Sequence, residues 1–287
     1  MVAQQEDRPA LYVLNPYLYN SACSGFVNGL NLSLSYSNQR LGMEGSPQEW
    51  IGSAHKLLRE TNFSAGGVMS YEKIGVSDVL ELEISGTYRF LVTDWTWLSL
   101  NVGGGFRHLD KDFSLLRQDN DSYFTKQSES EIVPRFRMGA WLRFDKDAYL
   151  SFSVKGVGNG HMRSFGHKQS THYYLSGGKS FRTRPNHFVL LNAMMFVAKY
   201  SPIGIVVTPS YRVDEAWEFG VSYQVGSVVS PYSKFSYKEK FFVGCHYEVT
   251  LNRMSKAGNV SSFVLTLGIH CLRDDTKKER IFRNAPA

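Results

Sequence analysis

The sequence predicts an all-β fold: a transmembrane antiparallel up-and-down β-barrel of about 14 strands with an N-terminal arm. Three observations lead there. Apolar and polar residues alternate with period two along segment after segment, from Gly29 almost to the C-terminus. Leu80, Leu82, Ile84, Gly86, Tyr88 and Phe90 alternate with Glu81, Glu83, Ser85, Thr87 and Arg89, and Trp217, Phe219, Val221, Tyr223 and Val225 alternate with Glu218, Gly220, Ser222 and Gln224. Successive side chains of a strand point to opposite faces, so each segment has one apolar and one polar face. Each is roughly ten residues long, which suits a tilted membrane crossing of about 9–11 residues. The connections alternate as well, short and then long. Composition agrees, with 16 Tyr, 19 Phe, 5 Trp and 25 Gly among 287 residues.

Three parts follow in chain order: an arm over 1–28, a barrel over 29–272 and a charged tail over 273–287. The arm lies outside the alternation. It carries Pro9 and Pro16 and the run Leu11 to Asn20, with Leu14, Asn15, Pro16, Tyr17, Tyr19 and Asn20 at its centre. A run this rich in apolar and aromatic groups needs burial, so the arm is expected to pack into or under the barrel as a plug.

Strands are predicted at 30–38, 48–57, 62–71, 79–90, 96–108, 132–144, 148–156, 171–181, 187–200, 203–213, 216–226, 231–238, 240–251 and 260–271. An even count places both barrel ends on the periplasmic side. The short set of connections is then periplasmic: Leu58–Thr61, Leu91–Asp94, Asp145–Asp147, Arg182–Asn186, Asp214–Glu215 and Glu239. The outer set is Gln39–Pro47, Glu72–Asp78, His108–Glu131, Val157–Ser170, Ser227–Ser230 and Asn252–Asn259, with the tight Ser201-Pro202 turn as its exception. The most apolar run, Phe188 to Ala198, is interrupted by Asn192 and falls short of the ~20 residues of a spanning helix. The start Met1-Val2-Ala3-Gln4-Gln5 has neither the basic nor the apolar stretch of a signal peptide, which reads as a mature chain whose signal has been removed.

The formal net charge of +6 is scattered, not gathered into the basic stripe that nucleic-acid binding requires, so no nucleic-acid partner is expected. Part of it sits on one strand, where Arg135, Arg137 and Arg143 lie on the polar face opposite Phe136, Met138, Ala140, Leu142 and Phe144. That face is the lumen, where Glu81, Glu83 and Glu248 from other strands are candidate partners. Cys245 and Cys271 fall in phase with apolar residues and read as outward-facing small hydrophobes. A last hairpin turning near Ser255 sets Cys245 opposite about Thr266, which argues against a bridge to Cys271. Cys23 lacks the preceding basic and apolar stretch of a lipoprotein signal.

No catalytic or cofactor motif stands out. His161, His167 and His172 straddle an outer loop without paired metal-ligand spacing, no nucleophile-elbow sequence occurs, and Gly103-Gly104-Gly105 lies inside a strand, where close packing or curvature is its expected role. The expectation is therefore no enzyme, no metal and no cofactor.

Several segments are similar to a known family. Leu14 to Gly25 resembles its Asn-Pro-bearing opening, Asn31 to Gln39 followed by Gly42-Met43-Glu44-Gly45-Ser46-Pro47 resembles its first hairpin, and Lys73-Ile74-Gly75 resembles a later loop. On these the chain resembles PorP/SprF, outer-membrane proteins of the Bacteroidota type IX secretion and gliding system. Arg40-Leu41 departs from a tryptophan-bearing step of that family, and the tail extends past the last strand. The resemblance implies a non-enzymatic scaffold or adaptor in the outer membrane. Its implied partners are periplasmic ring proteins with a peptidoglycan-binding lipoprotein, or a cell-surface adhesin cargo, besides outer-membrane lipids. Candidate partner contacts are Gly42, Glu44 and Gly45 in the first loop and Ile281 and Phe282 as an apolar anchor in the tail. The rival class is a plugged transport channel, either a porin or a fatty-acid-type transporter, since a barrel of this size needs water or a plug inside.

Overall fold

The computed structural model describes residues 9–26, 29–41, 43, 45–58, 61–112, 128–145, 147–157, 171–198, 201–238, 240–251 and 261–271. Among them, fourteen strands close into one antiparallel barrel in which each strand pairs with its chain neighbours and the first pairs with the last. They are β1 (Leu30–Asn38), β2 (Gln48–Leu57), β3 (Phe63–Ile74), β4 (Ser77–Thr93), β5 (Thr96–Asp112), β6 (Ser128–Phe144), β7 (Ala148–Val157), β8 (His172–Arg184), β9 (His187–Ala198), β10 (Gly204–Val213), β11 (Trp217–Gln224), β12 (Val228–Tyr237), β13 (Phe241–Thr250) and β14 (Ser261–Cys271). Closure is continuous at the seam, where nine residues of β1 from Leu30 to Asn38 pair with Cys271 to Phe263. A closed ladder leaves no edge, which is what permits strands to cross a bilayer.

The alternation sorts the side chains as the pattern requires. Leu82, Ile84, Val102, Met138, Leu175, Val221 and Leu267 are exposed on the outer face, while Glu81, Glu83, Asn101, Arg137, Ser176, Ser222 and Thr266 are buried inside. Aromatic residues gather on the outer face towards both rims, with Trp50 and Tyr71 at one and Phe181, Trp217, Tyr237 and Phe241 at the other. Such paired girdles around an apolar band are the surface of a membrane barrel.

Leu30 and Cys271 are paired at one rim, called here the terminal rim. Its turns are tight because residues in the left-handed region reverse the chain quickly: Asp145, Asn186, Asp214, Glu215 and Lys238 all have positive φ. The opposite rim departs from expectation at two connections. Most of the expected Ser227–Ser230 loop belongs to β12, which begins at Val228, and the turn there is residues 225–227. Glu72–Asp78 is not a loop, because β3 and β4 run on to Ile74 and Ser77 and only Gly75 and Val76 separate them. Gly75 at φ 56° makes that turn, and Tyr71 donates a hydrogen bond to Asp78 across it at 2.7 Å. β5 and β6 also extend beyond the expected ends, to Asp112 and from Ser128. Apart from Leu109 the extensions are polar on both faces, so period-two hydropathy did not mark them. In the last hairpin Cys245 stands opposite Leu265, one residue from the expected Thr266, and all three cysteines are free.

Residues 9–26 fold into three short 3-10 turns, Pro9–Val13, Pro16–Leu18 and Ser21–Phe26, inside the barrel, where every described side chain from Leu11 to Phe26 except Pro16 is buried. The proline-bearing starts suit such turns, since proline at a first position gives up an N–H that has no partner there. Leu11, Tyr12, Leu14, Tyr17, Tyr19, Ala22, Cys23 and Phe26 pack with Val68, Trp141, Tyr174, Met194, Val206, Tyr232 and Val264 of the wall into one core.

Candidate functional site in the barrel lumen

The arm is held in the lumen by hydrogen bonds as well as by packing. The Tyr12 hydroxyl is in hydrogen-bond contact with those of Tyr149 and Ser176 at 2.7 and 2.8 Å, and the Asn15 amide donates to Ser33 and Ser53 at 2.6 and 3.0 Å. The Tyr17 hydroxyl meets that of Ser85 at 2.8 Å while its ring stacks on His55. The Asn20 amide donates to the carbonyls of Ala140 and Phe152 at 3.0 and 3.2 Å, and its oxygen accepts from the Ala22 N–H at 3.1 Å. Ser99 and Ser153 donate to the carbonyls of Ala22 and Tyr19, and Arg89 donates to that of Gly25. Backbone groups that regular structure would have satisfied are therefore satisfied by the wall.

The wall is cut to this shape. A Cβ on Gly139 would lie 2.3 Å from the Asn20 side-chain oxygen, and one on Gly66 would lie 2.5 Å from the Tyr17 hydroxyl. Two glycines on different strands thus open notches for two arm residues.

Beside the arm runs a charged ladder. Arg135 pairs with Glu81, Arg137 pairs with Glu83, and Lys155 reaches Glu81 at 3.3 Å. The arginines are on β6 and the glutamates on β4, so each pair spans β5. The residues of β5 in those rows are Gly103 and Gly105, which stand opposite Arg137 and Arg135. The missing side chains at these two positions leave room for the guanidinium groups to cross. Arg137 also donates to the Ser21 hydroxyl at 2.7 Å, which ties the ladder to the arm. Arg143 behaves differently, with its guanidinium over the Phe26 ring at 5.7 Å. A second polar group lies on β10 to β12, where Arg212 donates twice to Glu218, at 2.9 and 2.8 Å, and Tyr232 donates to the other carboxylate oxygen at 2.7 Å. Apart from Arg143, these buried charges are paired with one another, as burial demands.

The sequence profile of the type IX secretion system membrane protein PorP/SprF family matches residues 1–269, arm and barrel together. The chain belongs to the PorP/SprF family. No curated protein matches the sequence. Among solved structures, the Acinetobacter baumannii outer membrane protein Omp33 is similar at a TM-score of 0.52 and 7% identity, over 86% of this chain and 99% of that one. The CymD monoaromatic hydrocarbon channel is similar at 0.53 and 11% identity, over 95% of both chains. The P. putida toluene transporter TodX is similar at 0.52 and 9% identity, over 90% of this chain and 94% of that one. At these identities the likeness is one of fold, that of outer-membrane barrels. This PorP/SprF chain is accordingly an outer-membrane β-barrel associated with type IX secretion.

Of the residues singled out from the sequence, Leu14, Asn15, Tyr17, Tyr19 and Asn20 are buried in the lumen and Pro16 half-buried beside them. Arg135, Arg137, Glu81 and Glu83 come together in the ladder, whereas Arg143 stands apart from it. Glu248 sits on β13, opposite Ser262. Gly45 is exposed in the first loop at the opposite rim. Gly42, Glu44, Ile281, Phe282, His161, His167 and the tail 273–287 lie outside the described residues. Sequence reasoning missed Tyr12, the notches at Gly66 and Gly139, and the Arg212–Glu218 pair. Glu218 was visible on a polar face, but its partner is on a neighbouring strand, which spacing within one strand does not show.

Proposed function

We propose that this PorP/SprF barrel is a non-enzymatic scaffold or adaptor of the type IX secretion and gliding machinery, linking periplasmic components with secreted surface proteins or adhesins. The observation that supports it is the filled lumen. An arm bound at Tyr12, Asn15, Tyr17 and Asn20 takes the space a conduit would use, and the ladder charges beside it are spent on one another. A barrel of this kind offers rims and chain ends to partners more readily than it offers a path. The terminal rim is read as periplasmic and its short turns expose little surface, so the tail 273–287, with Ile281 and Phe282 in it, is the proposed periplasmic contact. The first loop, with Gly42, Glu44 and Gly45, is the proposed outer contact.

Affinity purification of the tagged chain from native outer membrane, with identification of bound proteins, tests this. Recovery of ring proteins with a peptidoglycan-binding lipoprotein, or of a large adhesin, supports the adaptor and selects its branch. Recovery of neither, together with steady ion conductance, overturns it in favour of a transport channel.

A further inference from the structure

A cavity of about 80 Å³ lies between the arm and the wall. Several of its lining residues stand at the ends of their strands beside the terminal rim: Asn31 on β1, His55 on β2, Arg143 on β6, Phe242 on β13 and His270 on β14. Its surface is mostly apolar, contributed by Leu14, Phe26, Trp141 and Phe242 among others, and among the described residues no Asp or Glu lines it. Into this setting projects a cation. Arg143 is 6% exposed, and among the described residues its guanidinium has no ion pair within 4 Å and no hydrogen bond, while the Phe26 ring lies beneath it. The buried arginines of the ladder, Arg135 and Arg137, each have a glutamate. Asp145 and Asp147 on the adjoining turn attract it from a distance, but both are exposed to water and neither comes within ion-pairing reach. His55 adds a second polar group in search of a partner, since it is 9% exposed and its Nδ1 has none.

A buried guanidinium left unpaired is costly, and a planar fork of donors matches a carboxylate. The ring under it favours the cation but cannot replace an anion. The apolar walls exclude a bare hydrated ion as the preferred occupant, because they would desolvate it without replacing its hydration. The volume, smaller than the roughly 150 Å³ of an engineered cavity that holds benzene, admits a head group and a few carbons. We propose that this cavity binds the carboxylate head of an aliphatic amphiphile, with Arg143 as the anion partner and Phe26, Trp141 and Phe242 against the first carbons of the chain. The site is independent of the adaptor reading, because nothing in it requires a protein partner.

Calorimetric titration of the full chain, folded in a non-ionic maltoside detergent, tests the proposal with octanoate, octan-1-ol and acetate. Octanoate is expected to bind saturably at one site, at least tenfold more tightly than either comparison compound. Arg143→Gln is expected to lose at least tenfold in octanoate affinity, while Arg184→Gln, at an exposed rim position, retains it. Equal affinity for octanoate and octan-1-ol, no octanoate binding, or undiminished binding by a folded Arg143→Gln protein overturns the proposal. Equal affinity for acetate also overturns it, leaving only a bare anion site. Should Arg143→Gln fail to fold, the comparison of octanoate with octan-1-ol on the unaltered chain decides.

Discussion

Arg137 on β6 and Glu83 on β4 form an ion pair across a strand that lies between them. β5 separates the two, and it permits the contact because Gly103 faces Arg137 in one row and Gly105 faces Glu83 in the next. Both partners are almost fully buried, at 5% and 2% exposure. Arg137 reaches further, to the Ser21 hydroxyl, so the same guanidinium joins three strands of wall to the arm. The ladder therefore acts as the hinge between barrel integrity and lumen filling.

Removing one partner of this pair should be severe. Glu83→Gln leaves Arg137 buried without its counter-charge, a loss of about 3–5 kcal/mol for such pairs. Replacing both, as Glu83→Gln with Arg137→Met, is expected to recover part of that loss. The temperature at which detergent-solubilised protein loses its faster gel migration measures both variants. A single variant as stable as the unaltered chain would show that the ladder contributes nothing.

Gly105 should tolerate no side chain. A Cβ there would lie 1.8 Å from the Leu82 carbonyl oxygen and 2.7 Å from the Glu83 Cα, so Gly105→Ala must push β4 and β5 apart. Overpacking of this kind costs about 1–3 kcal/mol, and more where backbone cannot move. Gly52→Ala is the control, since its nearest contact would be the Met69 carbonyl oxygen at an ordinary 3.9 Å. The folded fraction on unheated gels is expected to fall for the first and hold for the second.

Much of this architecture was legible in the alternation. Leu82 and Ile84 face lipid and Glu81 and Glu83 face the lumen as the pattern requires, because one buried polar face and one lipid face impose a strict period of two. The arm was recognisable as needing burial from its density of Leu, Tyr and Val, although its 3-10 turns left no periodic signature. What could not be read was cross-strand pairing. Arg135 and Arg143 look alike on one strand, yet Arg135 lies beside a glycine row and reaches Glu81, while Arg143 lies at the rim against Phe26. That difference comes from register, which the sequence of a single strand does not contain.

The two faces of β11 should respond oppositely to charge. Val221 is exposed on the lipid face and Gln224 points inward. Val221→Arg is expected to cost about 2–4 kcal/mol near the bilayer midplane, and Gln224→Arg well under that in the polar interior. Urea unfolding in lipid vesicles, followed by tryptophan emission, measures the difference. Equal losses would reverse the assignment of faces.

Thiol labelling should report whether the arm stays in place. Cys23 is buried, and burial pushes its thiol pKa up to about 12, so at pH 7 to 9 it remains protonated and unreactive. Cys271 is exposed at the end of β14. A polyethylene-glycol maleimide is expected to shift the folded chain through Cys271 while leaving Cys23 unmodified until the protein is boiled. Asn20→Leu, which removes two hydrogen bonds to the wall, is expected to speed labelling at Cys23. Rapid labelling of Cys23 in the unaltered folded chain would mean that the arm spends much of its time outside.

The final prediction concerns what the arm prevents. With residues 9–26 in the lumen, Leu11, Tyr12 and Tyr17 fill it and the Asn20 amide bridges β6 to β7. Without them Ser33, Ser53, Ser85, Thr87, Ser99, Ser153 and the ladder charges would face an open interior beside apolar Val68, Trp141 and Met194, and polar groups of this kind admit water. Reconstituted in planar bilayers, the intact chain is therefore expected to conduct weakly, and a chain lacking residues 9–26 to conduct about tenfold more or better. Retained heat-dependent gel migration would show that the shortened chain still closes its barrel, as the continuous β1–β14 ladder predicts. Asn20→Leu is expected to fall between the two, with brief openings instead of a steady level. Large steady conductance from the intact chain would mean that the arm does not block the lumen in a membrane, and would return the barrel to the transport class.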